Sequence, residues 1–217
     1  MTARKVITWP DSRLLEKSKQ VLYFDDSLKE LALDLSHTMV ASFGAGLAAT
    51  QIGESRAMCV ISRDYALSLP IEKKLQGNFI VLVNPIITQV EDSKSDKFIW
   101  EEGCLSVPDV TAKVSRLKTI QITYQNLEGS WVEKIVHNEE SATIQHEVDH
   151  LTGKLFIHRL QGLQKRHAIQ RLRREVGIDK RKKSPEERDE KVKSRICKKK
   201  KSRAKKKKTF GKNKNRK

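Results

Sequence analysis

The chain has 217 residues and a formal net charge of +17, from 44 Lys and Arg against 27 Asp and Glu. The whole excess lies in residues 180–217, which contain 21 basic and 4 acidic side chains, whereas residues 1–179 contain 23 of each. This composition excludes a wholly basic nucleic-acid-binding protein and a wholly disordered one, because the neutral part is long enough for one sizeable core. No apolar stretch reaches the length of a membrane span, and three unclustered cysteines cannot form a disulfide framework. We therefore expect a cytoplasmic protein that does not associate with membranes.

The first predicted element is an amphipathic helix that begins after Asp25, a residue able to cap it. Its apolar residues recur at helical spacing, namely Leu28, Leu31, Ala32, Leu35 and Met39. The helix should end at the glycines of 44–46, and strand-like runs follow it. These predicted strands are 57–62, 79–83 (closed by Asn84 and Pro85), 120–124 and 131–136. Their connections are too short for crossover helices, so we expect antiparallel pairing.

Two further helices are predicted in the last third of residues 1–179. Asn138 is a plausible N-cap of a helix that carries residues 145–150 and ends near Gly153. A basic amphipathic helix is predicted over about 160–176, with an apolar stripe of Leu160, Leu163, Leu172 and Val176. The order of helix, strands and helices indicates an α+β domain over residues 1–179 that includes this basic helix. Residues 180–217 form a separate, strongly basic tail, disordered or charged-helical, with a helix opening at Ser184.

The sharpest chemical signal is His146-Glu147-x-x-His150. Positions i and i+4 of a helix share a face, so both imidazoles can bind one metal ion, and Glu147 can take a proton from water activated there. With only three fixed residues, the motif also arises by chance, and the alternative is a helix with two surface histidines paired to carboxylates.

A metal site needs a third ligand, and three positions compete for this role. Metzincin proteases have a histidine as third ligand, but this chain has Phe156 at that position. Another class of zinc protease uses a later glutamate. Here the candidate is Glu175, which lies among arginines typical of a solvated helix face. Cys104 offers a thiolate that, with two imidazoles, leaves the fourth position open, as a catalytic site requires. The alternative for a lone cysteine is a small buried hydrophobe, the interpretation we prefer for Cys59.

A loop of small residues, 44–51, is the third notable segment. It lacks the pattern of a phosphate-binding loop, but its small side chains let the backbone run close to a ligand. Gln51 at its end could donate an amide N–H to a developing oxyanion. The alternative is a tightly packed turn with Gln51 merely solvated.

Together these segments resemble the peptide deformylases, a family marked by a GxGLAAxQ loop, an EGCLS strand motif and a QHExDHLxG helix. The motifs stand here in that order at 44–51, 102–106 and 145–153, and the likeness extends over about residues 5–175 without the tail. The resemblance implies an α+β catalytic domain with antiparallel sheets packed around a central HExxH helix. It also implies metal-dependent removal of formyl from N-formylmethionyl nascent peptides, with release of formate.

The resemblance further implies individual roles. The metal ligands would be Cys104, His146 and His150. The catalytic residues would be Glu147 as general acid and base, with Gln51 and the Leu105 backbone N–H as oxyanion donors. The usual metal of the family is Fe²⁺, with Zn²⁺ or Ni²⁺ as substitutes, and this ligand set does not distinguish among them.

Four positions are implied in substrate binding. The backbones of Gly46 and Gly103 would pair with the extended substrate peptide. Ala45 and Ala142 stand where larger side chains are usual in the family, so the methionine pocket could be wider here.

We expect the protein to be a monomer, and the basic charge of residues 180–217 suggests a partner for it. Phe210 is the one aromatic residue in 180–217, so electrostatic contacts with a phosphate backbone are expected rather than base stacking. Ribosomal RNA is the natural candidate for an enzyme of nascent chains, and a solubilising tail is the alternative. For the whole chain, two alternatives remain: an inactive deformylase-like module that binds RNA or the ribosome, and an HExxH zinc protease.

Overall fold

A computed structural model describes residues 3–62, 79–88, 90 and 96–178, all within one unit, Met1–Ile178. The elements in chain order are helix α1 (Asp26–Ala41), strands β1 (Gly46–Ala48), β2 (Met58–Ser62), β3 (Phe79–Thr88), β4 (Lys97–Cys104), β5 (Val107–Leu117), β6 (Thr119–Gln125) and β7 (Trp131–His137), and helices α2 (Asn138–Leu151) and α3 (Gly162–Glu175). None of the helices in the described ranges has the length and apolar character needed to cross a bilayer.

The strands form two antiparallel sheets. One has five strands in the order β1-β2-β3-β6-β7, and the other is the β4–β5 hairpin. Helix α2 contacts strands of both sheets. The predicted α+β class with antiparallel sheets is therefore confirmed.

Helix α1 forms as its sequence predicts. The Asp25 carboxylate accepts a hydrogen bond from the Leu28 N–H at 3.2 Å. All five residues of the predicted face are buried and pack against residues of β1, β2 and β3 in one cluster. Burial of one leucine side chain typically contributes about 1.5–3 kcal/mol, so this face fixes the helix against the five-stranded sheet.

Strand β3 is longer than predicted. It continues past Asn84 and Pro85 to Thr88, with a bulge between Val83 and Ile86. A bulge accommodates a proline within a strand, and the left-handed φ of +49° at Asn84 is tolerated by asparagine more than by most residues. The Asn84 side chain bonds both the N–H and the C=O of Val21, at 2.8 and 2.9 Å. The predicted end of the strand was therefore wrong.

The predicted N-cap of α2 was also wrong. The extended residue His137 occupies that position without a side-chain cap bond, and Asn138 turns the chain with a φ of +50°. Because β7 runs directly into the helix, the turn has no separate loop, and the Asn138 N–H donates to the Lys118 carbonyl at 2.8 Å.

Helix α3 confirms part of the predicted basic helix. Leu160 and Leu172 are buried, but Leu163 is 63% exposed, so its place in the apolar stripe was wrong. Leu163 lies nine residues before Leu172, which places it about 180° around the helix. Leu160 precedes the first residue of the helix, so its burial does not follow from the period of the helix.

Candidate active site

A cleft of about 610 Å³ lies between the loop that precedes β1, the β4–β5 hairpin and α2. Nine of the ten site residues expected from the sequence line it, and His150, the tenth, lies in contact with Cys104 and His146. The structure thus brings together side chains that are up to 105 residues apart, from Ala45 to His150.

Three potential metal ligands converge at the base of this cleft. Cys104 ends β4, and His146 and His150 share one face of α2. The Cys104 Sγ lies 3.2 Å from the Nε2 of His150, which lies 3.3 Å from the Nε2 of His146. Among the described residues, these form the one group of three or more His, Cys, Asp or Glu side chains whose ligand atoms all lie within 4.8 Å of one another.

The spacing of these atoms fits a metal ion. With metal–nitrogen bonds of about 2.0–2.1 Å and a metal–sulfur bond of about 2.3 Å, tetrahedral ligand atoms lie about 3.3–3.6 Å apart. In the described part of the chain, the buried Glu147 Oε2 also has no hydrogen-bond partner. A divalent cation would satisfy both the convergent lone pairs and the unbalanced carboxylate, so the residues fit the group.

The ring of His146 is held by a buried carboxylate. Glu102 Oε2 accepts the hydrogen bond of His146 Nδ1 at 2.8 Å, and Arg116 binds both oxygens of Glu102 at 2.6 and 2.9 Å. Since an ionised carboxylate accepts the Nδ1 proton, the Nε2 lone pair of His146 is directed at the ligand group.

The contact between Glu102 and His146 belongs to a larger network of charged side chains. Arg116 also binds Asp149 Oδ2 at 2.7 Å, and Arg159 binds both oxygens of Asp149. The side chains of Glu102, Arg116 and Asp149 are at most 6% exposed, whereas Arg159 is 46% exposed. None of these four roles was predicted from the sequence. The only signal was that Glu102 and Asp149 stand inside motifs.

The charges of the site perturb its titrating groups. Burial opposes ionisation of Glu102, but the bonds from Arg116 and His146 lower its pKa to about 2. Burial also opposes protonation of His146, yet its contacts with Cys104 and Glu102 raise its pKa well above the ordinary value. Burial and the nearby His146 lower the pKa of His150. Burial raises the pKa of Glu147 to about 7, so this carboxyl can exchange a proton near neutral pH.

Gly46 has a steric reason to be glycine. A Cβ at this position would lie 2.5 Å from Glu147 Oε1 and 2.8 Å from its Cδ, so any side chain would displace the carboxylate. A Cβ at Gly103 would only make an ordinary contact with Thr111 at 3.5 Å. The two glycines expected in substrate binding are therefore not equivalent.

Gln51 is fixed in one orientation. It is 2% exposed, so the alternative of a solvated side chain was wrong. Its Oε1 accepts the Ala48 N–H at 2.8 Å, which directs Nε2 to Ser106 Oγ at 3.2 Å and to within 3.6 Å of Cys104 Sγ. Leu105 lies in the two-residue turn after Cys104, so its N–H is adjacent to the same ligand.

The N-terminal segment joins the two loops that carry these donors. The Ile7 N–H donates to the Gln51 carbonyl and the Trp9 N–H to the Ser106 carbonyl, both at 2.8 Å. This connection was not predicted from the sequence.

Neither Phe156 nor Glu175 supplies the third metal ligand. Phe156 is 1% exposed and stacks on His146 with ring centroids 6.2 Å apart. Glu175 is exposed at the end of α3 and is not part of the ligand group.

Gly153 follows α2 with a φ of +71°, where a Cβ would lie 2.3 Å from the Leu15 carbonyl oxygen. Cys59 is fully buried, as expected of a small hydrophobe, and burial raises its pKa.

Comparison with known proteins agrees with this geometry. Residues 3–166 match the family model for polypeptide deformylase. The chain belongs to the peptide deformylase family. The peptide deformylase of Desulfotalea psychrophila is 36% identical over 165 residues, covering 76% of this chain and 92% of that protein. That of Bartonella tribocorum is 38% identical over 189 residues, covering 87% and 97%.

Solved structures of deformylases share the fold. The peptide deformylase of Legionella pneumophila superposes with a TM-score of 0.70 at 34% identity, covering 84% of this chain and all of that one. The Plasmodium falciparum peptide deformylase, solved with an inhibitor, has a TM-score of 0.67 at 30% identity and covers 79% and 99%. The family resemblance seen in the motifs is thus confirmed, and with it a metal-dependent hydrolase.

Proposed function

We propose that this chain hydrolyses the formyl amide of N-terminal formylmethionine on nascent polypeptides, which consumes water and yields formate and a free amino terminus. Family membership supports this reaction. The single observation that carries it to these residues is the convergence of Cys104, His146 and His150 beside the buried Glu147.

In this proposal Cys104, His146 and His150 bind the metal, as a thiolate and two neutral imidazoles. The low pKa of His150 favours its neutral form, and the Glu102 bond to His146 Nδ1 leaves the Nε2 of that ring directed at the ligand group. Held there, a metal ion would supply Lewis acidity for the activation of water and the polarisation of the formyl group. We infer Fe²⁺ as the native ion from the family, with Zn²⁺ or Ni²⁺ as substitutes.

Glu147 moves the proton. It takes one from the attacking water and delivers it to the departing amine nitrogen, which leaves as the free N-terminus. Its burial beside Gly46 supports this role, because a carboxyl whose pKa lies near 7 accepts and releases protons with little penalty.

Gln51 Nε2 and the Leu105 N–H stabilise the negative charge that develops on the formyl oxygen. The bond from Ala48 to Gln51 Oε1 holds the amide in the donating orientation before substrate arrives. Such preorganised donors act without reorganisation at the moment of reaction, which is why one of them is typically worth about 3–4 kcal/mol.

The substrate peptide lies as an extended strand along the cleft. Among the described strands, β1 pairs only with β2 and β4 only with β5, which leaves one edge of each without a strand partner. Gly46 and Gly103 offer backbone groups from these strands. Ala45 at the rim and the buried Ala142 line the same cleft and would admit the methionine side chain.

Formate release from a formyl-Met-Ala-Ser peptide, measured with metal content on the same sample, tests the proposal. The matched acetyl-Met-Ala-Ser peptide should be untouched, because an acetyl methyl does not fit where a formyl hydrogen does. The variant Glu147→Ala should keep its metal and lose at least about 10²-fold in kcat. Metal binding without formate release would instead favour the inactive module, and cleavage of casein would favour a protease.

We also propose residues 1–179 as the catalytic domain of a monomer and the tail 180–217 as a contact to ribosomal RNA. The tail and its helix opening at Ser184 lie outside the described residues, so the support is its charge alone. Glutamine at the lysines of 198–201 and 205–208 should sharply reduce co-sedimentation with ribosomes at low salt and leave formate release unchanged. If the unmodified protein and the glutamine variant sedimented equally with ribosomes, the alternative of a solubilising tail would be favoured.

A further inference from the structure

Helix α2 borders a second cavity, on a side that does not face the catalytic cleft. This second cavity measures about 550 Å³, and none of the described residues that line it also lines the cleft. The α2 residues that line it recur at i, i+3, i+4 and i+7, namely Gln145, Val148, Asp149 and Thr152. The cleft is lined instead by His146 and Glu147 of the same helix. Because each helical residue advances by about 100°, the two sets occupy different faces, and the second cavity is separate from the catalytic centre.

The second cavity carries an excess of positive charge. Four basic side chains line it, namely Lys97, Arg116, Lys154 and Arg159. Asp149 is the single acidic residue among the described residues that line it, and both arginines already bind its carboxylate. Residues 1–179 contain equal numbers of basic and acidic side chains, so this excess is a local feature and not the average of the domain.

Three of these basic groups keep unused hydrogen-bond donors. Lys97 begins β4 and Lys154 follows α2, and both are exposed. Neither lysine takes part in a salt bridge among the residues that the structure describes. Arg159 binds Asp149 through Nε and Nη2, and within the described ranges its Nη1 has no hydrogen-bond partner. Positive groups that line one cavity repel one another, so an anion bound between them would stabilise the arrangement.

The lining favours a phosphate group over a simple carboxylate. Two ammonium groups, one guanidinium nitrogen and the hydroxyl of the exposed Ser115 offer more donors than two carboxylate oxygens use, and they match the three oxygens of a phosphate ester. The half-buried Ile87 and Val148 add apolar surface. The volume lies within the range of about 300–1,000 Å³ that is usual for small-molecule sites, which leaves room for an organic group attached to the phosphate.

We propose that the second cavity binds a phosphate group, held by Lys97, Lys154 and Arg159. The two ammonium groups act as point charges, and Arg159 donates from Nη1 while it keeps its bonds to Asp149. The phosphate belongs either to a small organic molecule or to free inorganic phosphate. The site does not depend on the proposed deformylase reaction, because no residue that holds the phosphate lines the catalytic cleft.

Isothermal titration of the full chain with its metal, at low ionic strength, tests this site with AMP, inorganic phosphate and acetate. AMP and phosphate should bind, and acetate should bind more weakly, because it carries a single charge. Tighter binding of AMP identifies an organic phosphate as the ligand, and equal affinities identify free phosphate. Either result supports the site.

The basic tail and the metal can also hold phosphate, so the decisive comparison is between variants that retain both. The double variant Lys97→Gln, Lys154→Gln should weaken binding of the phosphate compounds by about tenfold, since two charge contacts are lost. The matched double variant Lys5→Gln, Lys19→Gln removes two exposed lysines outside the second cavity and should bind as the unmodified protein does. Formate release in the absence of phosphate should be unchanged in both variants, which shows that they are folded.

Three results would overturn the site: no binding of either phosphate compound, acetate binding as tight as that of phosphate, or equal affinities in the two double variants. Each of them leaves the proposed deformylation untouched. A lack of formate release by the unmodified protein would instead contradict the proposed function without bearing on the second cavity.

Discussion

Glu101 and Glu102 are neighbours on β4, yet they differ in almost every physical respect. Glu102 is 4% exposed, accepts three hydrogen bonds from Arg116 and His146, and has a pKa of about 2. Glu101 is exposed, lines the cleft and has no salt bridge in the described part of the chain. Because successive side chains of a strand point to opposite faces, one residue step separates a buried carboxylate that orients a histidine from an exposed one.

The same contrast extends over the whole cleft. Its inner wall, represented by Gln51, Glu102 and Glu147, consists of buried groups, whereas its outer wall, represented by Glu101, Gly103 and Asp109, consists of exposed residues. Buried charges interact strongly because little water screens them, and exposed ones interact weakly. Substitutions in the inner wall should therefore change the rate of the reaction strongly, and those in the outer wall should change it little.

The largest expected effect is at Gln51, in the inner wall. Gln51→Ala removes a preorganised donor and should lower kcat for a formyl-Met peptide by about 10²–10³-fold, measured as formate release at saturating substrate. Ser106→Ala is the matched control, since it removes only the partner of Gln51 Nε2 and should cost less than about tenfold. Similar small losses in both variants would contradict the oxyanion role.

A somewhat smaller effect is expected at Gly46. Gly46→Ala forces the Glu147 carboxylate away from β1 and should lower kcat by about 10²-fold, since small displacements of a catalytic group have effects of this size. Gly103→Ala, in the outer wall, meets only an ordinary contact and should retain kcat within a few-fold. If the two variants lost activity equally, the steric reason for Gly46 would be wrong.

The smallest of the three effects concerns metal retention. Glu102→Gln removes the charge that orients His146 and should weaken metal affinity by about 10–100-fold, measured by competition with a chelator. Glu101→Gln, one residue away, should leave the affinity unchanged. An equal loss in both variants would mean that overall negative charge, rather than the bond to His146, controls the affinity.

Local patterns predicted the elements well where one face of one element decides the outcome. The buried face of α1 follows from its period, and the shared face of His146 and His150 follows from a spacing of four residues. The predictions were wrong where a neighbour intervened: β3 passes Asn84 through a bulge paired with β6, and Leu163 points away from the face that α3 buries.

The sequence alone determined the family, the motif residues and the class of reaction, because these depend on the identity and order of side chains along the chain. Only the tertiary structure joined Glu102, Arg116 and Asp149 into one buried network, set Gly46 against Glu147, and placed the exposed Glu101 and Asp109 on the cleft. The reason is physical. The strength of a charge or a steric contact depends on distance and on the water around it, and neither quantity can be read from positions in the chain.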